Sequence, residues 1–182
     1  MSTRLIAFLI LLLLSPILII ILIITAIDLQ ANPIFIQTRV IAGPGTFSFY
    51  KIRSMRKIAP SLPTNLIRNP KNFITSWGRF LRTTSIDEIM NLISIVKGDM
   101  NFIGPRPIMV VETDLIELRK KCRIVSKGGI TGLAQIKGRD FISPTRKIAA
   151  ERYYQANKSF SLDSYILLQT LIIVMRRNGV AH

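Results

Sequence analysis

Leu5 to Ile27 is an unbroken run of 23 uncharged residues, bounded by Arg4 and Asp28, and it constrains this chain more than any other feature. A helix needs about 20 apolar residues to cross a bilayer core. A cleavable signal peptide would have an apolar region of only about 7–15 residues followed by a small-residue cleavage site, and no clean site follows here. The segment is therefore expected to be retained. Ser15-Pro16 lies in its middle. Pro16 has no N–H for the Leu12 carbonyl, so a kink is expected, and the Ser15 hydroxyl can bond back to Leu11 or Leu12. Two topologies follow: a kinked single-pass helix, or a re-entrant hairpin whose ends face the same side. The basic remainder of the chain is expected in the cytoplasm in either case.

Net charge and apolarity narrow the partners. At 182 residues the chain has room for one modest domain beside the apolar segment. A net charge of +15 and a pI near 10.8 call for an anionic partner: nucleic acid, anionic lipid or a phosphorylated substrate. The 49% hydrophobic content and mean hydropathy of +0.38 favour a membrane setting over a soluble nucleic-acid binder. Cys122 is the sole cysteine, which excludes an internal disulfide and a cysteine-based zinc site. His182 is the sole histidine, so Ser-His-Asp or Cys-His chemistry is not expected. Carboxylates, Lys, Tyr or metal-bound water remain.

Hydrophobic patterning predicts strands over 33–40 and 46–52, joined through Gly43-Pro44-Gly45 as a hairpin. Residues 58–73, with Pro60, Pro63 and Pro70, read as a loop in which Leu62, Leu66 and Ile67 could touch an interface. A short helix is predicted over 74–81, where Trp77 and Phe80 lie beside Arg79 and Arg82. Ile86, Ile89, Met90, Ile93 and Val96 form one apolar stripe, predicting a helix over 86–97 stopped by Gly98. Further helices are expected over about 108–122, from Ser143-Pro144 to about 157, and from a Ser161 cap to 177. Residues 128–139 read as loop with short extended pieces.

Asp87 and Glu88 are the only adjacent acidic residues in the chain. No Asp or Glu occurs from Leu29 to Ile86, a stretch holding Arg39, Lys51, Arg53, Arg56, Lys57, Arg68, Lys71, Arg79 and Arg82. Ser85-Ile86-Asp87-Glu88 fits a capping box, which explains both acids structurally at about 1 kcal/mol of helix stability. The same pair could hold Mg²⁺ against a phosphate ester, and Asp87 could attack phosphorus as a carboxylate nucleophile. Gly104-Pro105-Arg106-Pro107 locks the backbone around one guanidinium, which suits a bidentate grip on phosphate or a rigid turn with a solvated Arg. Lys51-Ile52-Arg53 at a strand end is ambiguous alone. Gly132 to Arg139 has glycines suited to close backbone approach, but neither GxxxxGK[ST] nor GxGxxG occurs. Asp163 reads as a helix-start residue.

Taken in order, several segments resemble the bacterial sugar transferase family, the monotopic phosphoglycosyl transferases. They are Ser15-Pro16, Lys51-Ile52-Arg53-Ser54-Met55, Gly78 to Glu88, Gly98-Asp99-Met100, Gly104-Pro105-Arg106-Pro107, Gly129-Ile130-Thr131-Gly132 and Gly138-Arg139. With no multi-span region before the helix, the likeness is to the small, minimal members. The resemblance implies a mainly helical α+β fold: a kinked, re-entrant helix over 1–30 and a membrane-surface catalytic domain over 31–182 containing a β-hairpin. It implies transfer of a sugar phosphate from a UDP-sugar to undecaprenyl phosphate at the cytoplasmic face of the bacterial inner membrane, with release of UMP. Asp87 is then the nucleophile, and Glu88 a Mg²⁺ ligand or proton partner. Lys51, Arg53, Arg82, Arg106, Arg139 and Asp163 are implied as substrate- or phosphate-binding positions, with anionic membrane lipids as further partners and no nucleic acid. Gly128 stands where many members have Pro, and Ala134 where many have Trp. The rivals are a non-catalytic anchored module binding anionic lipid or nucleic acid, and a single-pass transferase without a covalent intermediate. No residue set identifies the sugar.

Overall fold

A computed structural model describes residues 3–40, 45–60, 62, 67–138 and 142–176. The fold is mainly helical α+β, as expected. The chain forms two compact units: residues up to Gln37 with Phe49–Gly98, and Thr38–Ser48 with the chain from Asp99 onward. Strands β1 (Ile34–Val40) and β2 (Thr46–Ile52) each contribute to both. They match the predicted hairpin strands, while Gly43 and Pro44 of the expected turn lie outside the described residues, as do Pro63 and Leu66.

The first unit is built on α1 (Thr3–Leu29), a single α-helix containing Pro16. It is the one helix among the described residues long and apolar enough to cross a membrane. Ser15 Oγ donates to the Leu12 carbonyl at 2.7 Å, supplying the carbonyl that Pro16 leaves without its amide partner. One side of α1 packs Leu11, Leu14, Leu18, Ile21 and Leu22 into a core with Ile52, Leu81 and Met90. Its other side leaves Leu13, Ile17, Ile20 and Ile27 exposed. Thr75 caps α2 (Ser76–Thr83) by accepting from Gly78 N, and its hydroxyl donates to Asp28 Oδ2 at 2.6 Å. Trp77 Nε1 donates to Thr25 Oγ1 at 2.9 Å. At the opposite end of α1, a Cβ on Gly98 would lie 2.1 Å from the Arg4 guanidinium, so these groups are packed together.

The predicted 86–97 helix is divided. Residues Ile86–Asn91 form a 3₁₀ helix and Leu92–Lys97 an α-helix, α3, closed by Gly98 at φ 89°. The capping box does not form. Ser85 takes φ 57°, a left-handed conformation, and makes no side-chain cap bond. A cap requires its residue in the extended region, but the chain leaving Thr84 turns sharply at this one residue. Four of the five residues of the expected apolar stripe, Ile86, Ile89, Met90 and Ile93, pack in the core with α1, and the fifth, Val96, is half-buried.

The second unit holds β3 (Asn101–Ile103) parallel to β5 (Gly129–Thr131), with Asn101 opposite Gly129 and Ile103 opposite Thr131. The predicted 108–122 helix starts later. Ile108–Met109 form β4, antiparallel to β1 through Arg39↔Met109 and Val40↔Ile108, and helix α4 spans Thr113–Lys121. Pro107 biases the chain toward extended backbone, and Val110-Val111 is poorly suited to a helix start. Within 128–139, β5 is followed by a helix the sequence reading did not contain, α5 (Leu133–Gly138). Helix α6 (Pro144–Ala156) is capped by Ser143 as predicted. Helix α7 (Phe160–Met175) is capped by Ser159, which accepts from Leu162 N, two residues before the predicted Ser161. Ile103, Leu133, Ala134, Ala150, Tyr154 and Ile166 form one core, and Ile108, Leu115 and Ile148 a second.

Candidate active site

Three residues of the basic-acidic pattern converge in the first unit. Lys51 Nζ lies 2.8 Å from Glu88 Oε1 and 3.8 Å from Asp87 Oδ2. Asp87 is 6% exposed. The local fold explains the meeting. A 3₁₀ helix has three residues per turn, so Glu88 and Asn91 stack on one edge. That edge faces β2: Asn91 Oδ1 accepts from Tyr50 N at 3.1 Å, while Glu88 accepts from the next residue, Lys51. The apolar stripe on the opposite edge is committed to α1. Lys51 also stands over the Phe49 ring, its ammonium 5.5 Å from the ring centre.

The donor set fits a hard cation. Both carboxylates already approach a single ammonium, so both can face one positive centre. Among the described residues no group of three or more His, Cys, Asp or Glu side chains could close a metal cage. Mg²⁺ commonly takes one or two carboxylates and completes its shell with substrate phosphates and water.

The other sequence candidates have separate roles. Arg53 donates through Nε to the Asn32 carbonyl at 2.7 Å and lies over the Phe35 ring, fastening the end of β2 to the segment after α1. Arg82 is half-buried in the last turn of α2, and its carbonyl accepts from Ser85 N. Arg106 and Asp163 belong to the second unit. Asp163, in the first turn of α7, accepts from the Tyr154 hydroxyl at 2.9 Å. Burial, and then the Asp163 carboxylate, push the Tyr154 phenol above its ordinary range, so it stays a donor. Arg139 lies outside the described residues.

The Gly-Pro-Arg-Pro turn is built into the second unit's core. Gly104, Pro105 and Pro107 are buried while Arg106 is half-exposed. A Cβ on Gly104 would fall 2.2 Å from the Lys127 carbonyl, so only glycine permits this approach. Gly104 N donates to Thr131 O and Gly129 N to Pro105 O, both at 2.9 Å. The Gly104 and Gly129 motifs, separate in sequence, are thus one structural element. Around it stand groups the sequence reading did not single out: Arg39, Glu112, Arg119, Lys147 and Glu151. One signal was available for Glu151. Its spacing of three from both Ile148 and Tyr154 sets an acid on the buried face of α6.

Lys147 is lowered from an ordinary 10.5 to about 8, first by burial and then by the positive charge of Arg119. Glu112 and Glu151 oppose this shift and Arg106 adds to it. Between about pH 8 and 10.5 the folded chain therefore binds fewer protons at Lys147 than the unfolded chain, and stability rises with pH in that window. Urea unfolding at pH 7.5 and pH 9.5 should show a wild-type rise that Lys147→Met lacks, with the variant no less stable at pH 7.5.

Comparison with known proteins gives a consistent result. The family model described as "Bacterial sugar transferase" matches residues 1–177. The chain is 37% identical over 134 residues to "Uncharacterized sugar transferase EpsL" of Bacillus subtilis, covering 74% of this chain and 65% of that protein. It is 33% identical over 148 residues to "Undecaprenyl-phosphate galactose phosphotransferase" of Salmonella typhimurium, covering 73% and 31%. It is 32% identical over 146 residues to "UDP-glucose:undecaprenyl-phosphate glucose-1-phosphate transferase" of Caulobacter vibrioides, covering 76% and 55%. The chain thus spans between about a third and two thirds of the length of these relatives.

Proposed function

The chain belongs to the bacterial sugar transferase family, and from that premise we propose that it transfers a sugar 1-phosphate from a UDP-sugar to undecaprenyl phosphate. The observation that carries this reading is the convergence of Asp87 and Glu88 on Lys51, beside a membrane-length helix. In the first step an Asp87 carboxylate oxygen attacks the phosphorus bearing the sugar, and the bond from that phosphorus to UMP breaks. In the second, a phosphate oxygen of the lipid attacks the same phosphorus and the Asp87 carboxylate leaves. Two displacements at one fixed phosphorus need a positioned nucleophile more than an acid or base. Asp87 and Glu88 would hold Mg²⁺, which supplies charge neutralisation at the pyrophosphate when bound. Lys51 keeps both carboxylates facing one point, and Arg82, Arg106 and Arg139 are the proposed phosphate contacts. The product would begin assembly of a polysaccharide or other glycan.

Packing supports a helix that enters and leaves one leaflet. α1 is about 40 Å long at 1.5 Å per residue. Arg4 at one end packs on Gly98, Asp28 at the other bonds Thr75, and the middle packs on Ile86, Ile89 and Met90. Were α1 upright across the bilayer, Asp87, Glu88 and Lys51 would sit beside its midpoint at hydrocarbon depth. Each such charge costs several kcal/mol. A shallow, tilted insertion leaves those groups at headgroup level, where the lipid phosphate is. The exposed Leu168, Leu171 and Met175 of α7 suit a membrane surface for the second unit as well. The predicted outcome is that labels at residue 2 and residue 182 both react only from the cytoplasmic side. A periplasmic amino terminus would rule this topology out.

The reaction is tested by UMP release from a panel beginning with UDP-galactose and UDP-glucose, with undecaprenyl phosphate in detergent. Release dependent on both substrates is expected for at least one sugar. Binding of anionic vesicles or nucleic acid with no release across the panel would favour an anchored, non-catalytic module.

A further inference from the structure

Three successive carbonyls of the Gly-Pro-Arg-Pro turn each receive a donor from a different element. Gly129 N donates to Pro105 O at 2.9 Å, Arg119 Nη2 to Arg106 O at 2.8 Å, and Arg39 Nη1 to Pro107 O at 3.1 Å. Neither arginine is free to wander. Arg119 is held by Glu151, its Nε donating to Oε2 at 2.7 Å and its Nη2 to Oε1. Glu151 is 2% exposed. Arg39 lies 3.9 Å from Glu112 Oε2, an oxygen that also accepts from Met109 N at 2.8 Å.

Two prolines and a close-packed glycine already restrict this backbone. A turn that served only to reverse the chain would gain little from two further arginines, each brought out of water with its own carboxylate. The half-exposed Arg106 is the one charged side chain the turn carries. We infer that Arg119 and Arg39, held by Glu151 and Glu112, are positioning residues that clamp the turn so that Arg106 is pre-aimed at an anionic ligand. The ligand class is a diphosphate, as in the donor nucleotide, and this part rests on the proposed reaction. A backbone fixed before binding leaves only the Arg106 side chain to be ordered on gripping phosphate, so rigidity of the turn converts into affinity.

A double-mutant cycle tests the clamp on the full chain in detergent. Affinity for UDP-galactose and for inorganic pyrophosphate is measured by equilibrium dialysis. Arg106→Ala should weaken both by about 10- to 100-fold, the loss of one charge-assisted contact. Arg119→Lys and Arg39→Lys keep the charge but not the fork, and each should weaken binding several-fold. In the Arg106→Ala background neither should weaken it further. Equal penalties with and without Arg106 would overturn the clamp, as would unchanged binding in Arg106→Ala or in both lysine variants. Melting curves check folding; should Arg119→Lys fail to fold, the Arg39 arm decides alone. If no UDP-sugar yields UMP while the pyrophosphate cycle is non-additive, the clamp stands and the proposed reaction falls.

Discussion

Asp87→Asn is expected to abolish UMP release, lowering turnover by on the order of 10⁴- to 10⁶-fold, the range seen when single members of a covalent catalytic set are removed. The substitution is nearly isosteric. It removes one of two carboxylates near Lys51 and leaves the closer contact, Lys51 to Glu88 at 2.8 Å, in place. The 3₁₀ helix is held independently by Asn91 on β2 and by Ile86, Ile89 and Met90 against α1, so the fold should persist. Circular dichroism with a thermal melt separates lost chemistry from lost structure. Retained wild-type turnover in a normally folded variant would remove Asp87 from the mechanism.

The second large effect is on stability. Arg119→Met should destabilise the chain by about 3–5 kcal/mol, because it leaves the buried Glu151 carboxylate without its hydrogen-bonded guanidinium. Desolvation dominates this figure: a single surface ion pair is worth only about 0–1 kcal/mol. The double variant Arg119→Met with Glu151→Leu should recover most of that loss, since a buried pair replaced by apolar residues is often neutral or better. Function should not recover with it. The Arg106 carbonyl still lacks its donor, so the donor KM should remain raised at restored stability. Urea unfolding alongside kinetics of both variants makes the comparison. Recovery of KM together with stability would reduce the ion pair to a structural role.

Much of this molecule was legible in the sequence, and most failures share a cause. Most elements governed by their own side chains were read correctly, the α7 cap at Ser159 instead of Ser161 being an exception. The α1 span, both hairpin strands, the Gly98 stop and the Ser143 cap depend on local chemistry alone. The Ser85 cap and the start of α4 depended on tertiary demands. Ser85 had to reverse the chain between α2 and the 3₁₀ helix, and Ile108-Met109 were taken by pairing with β1. The acid pair was conspicuous because no other acid lies within the basic stretch before it. Its partner Lys51 was one cation among nine there, and only the β2 register singles it out. The pairing of Arg119 with Glu151 was illegible for a similar reason, although the spacing of Glu151 from Ile148 and Tyr154 marked it as inward-facing. They lie 32 residues apart, on helices that look amphipathic with charged outer faces, and only packing reveals that the two meet.

The central claim is that the sugar phosphate passes through Asp87. It is tested most directly by incubating the enzyme with a turned-over UDP-sugar in the absence of lipid acceptor, then mapping peptides by mass spectrometry. The account predicts a near-stoichiometric burst of UMP and one sugar-phosphate increment on the peptide at Asp87, discharged when undecaprenyl phosphate is added. No burst and no increment under single-turnover conditions, with UMP appearing only once acceptor is present, would contradict it and establish direct transfer.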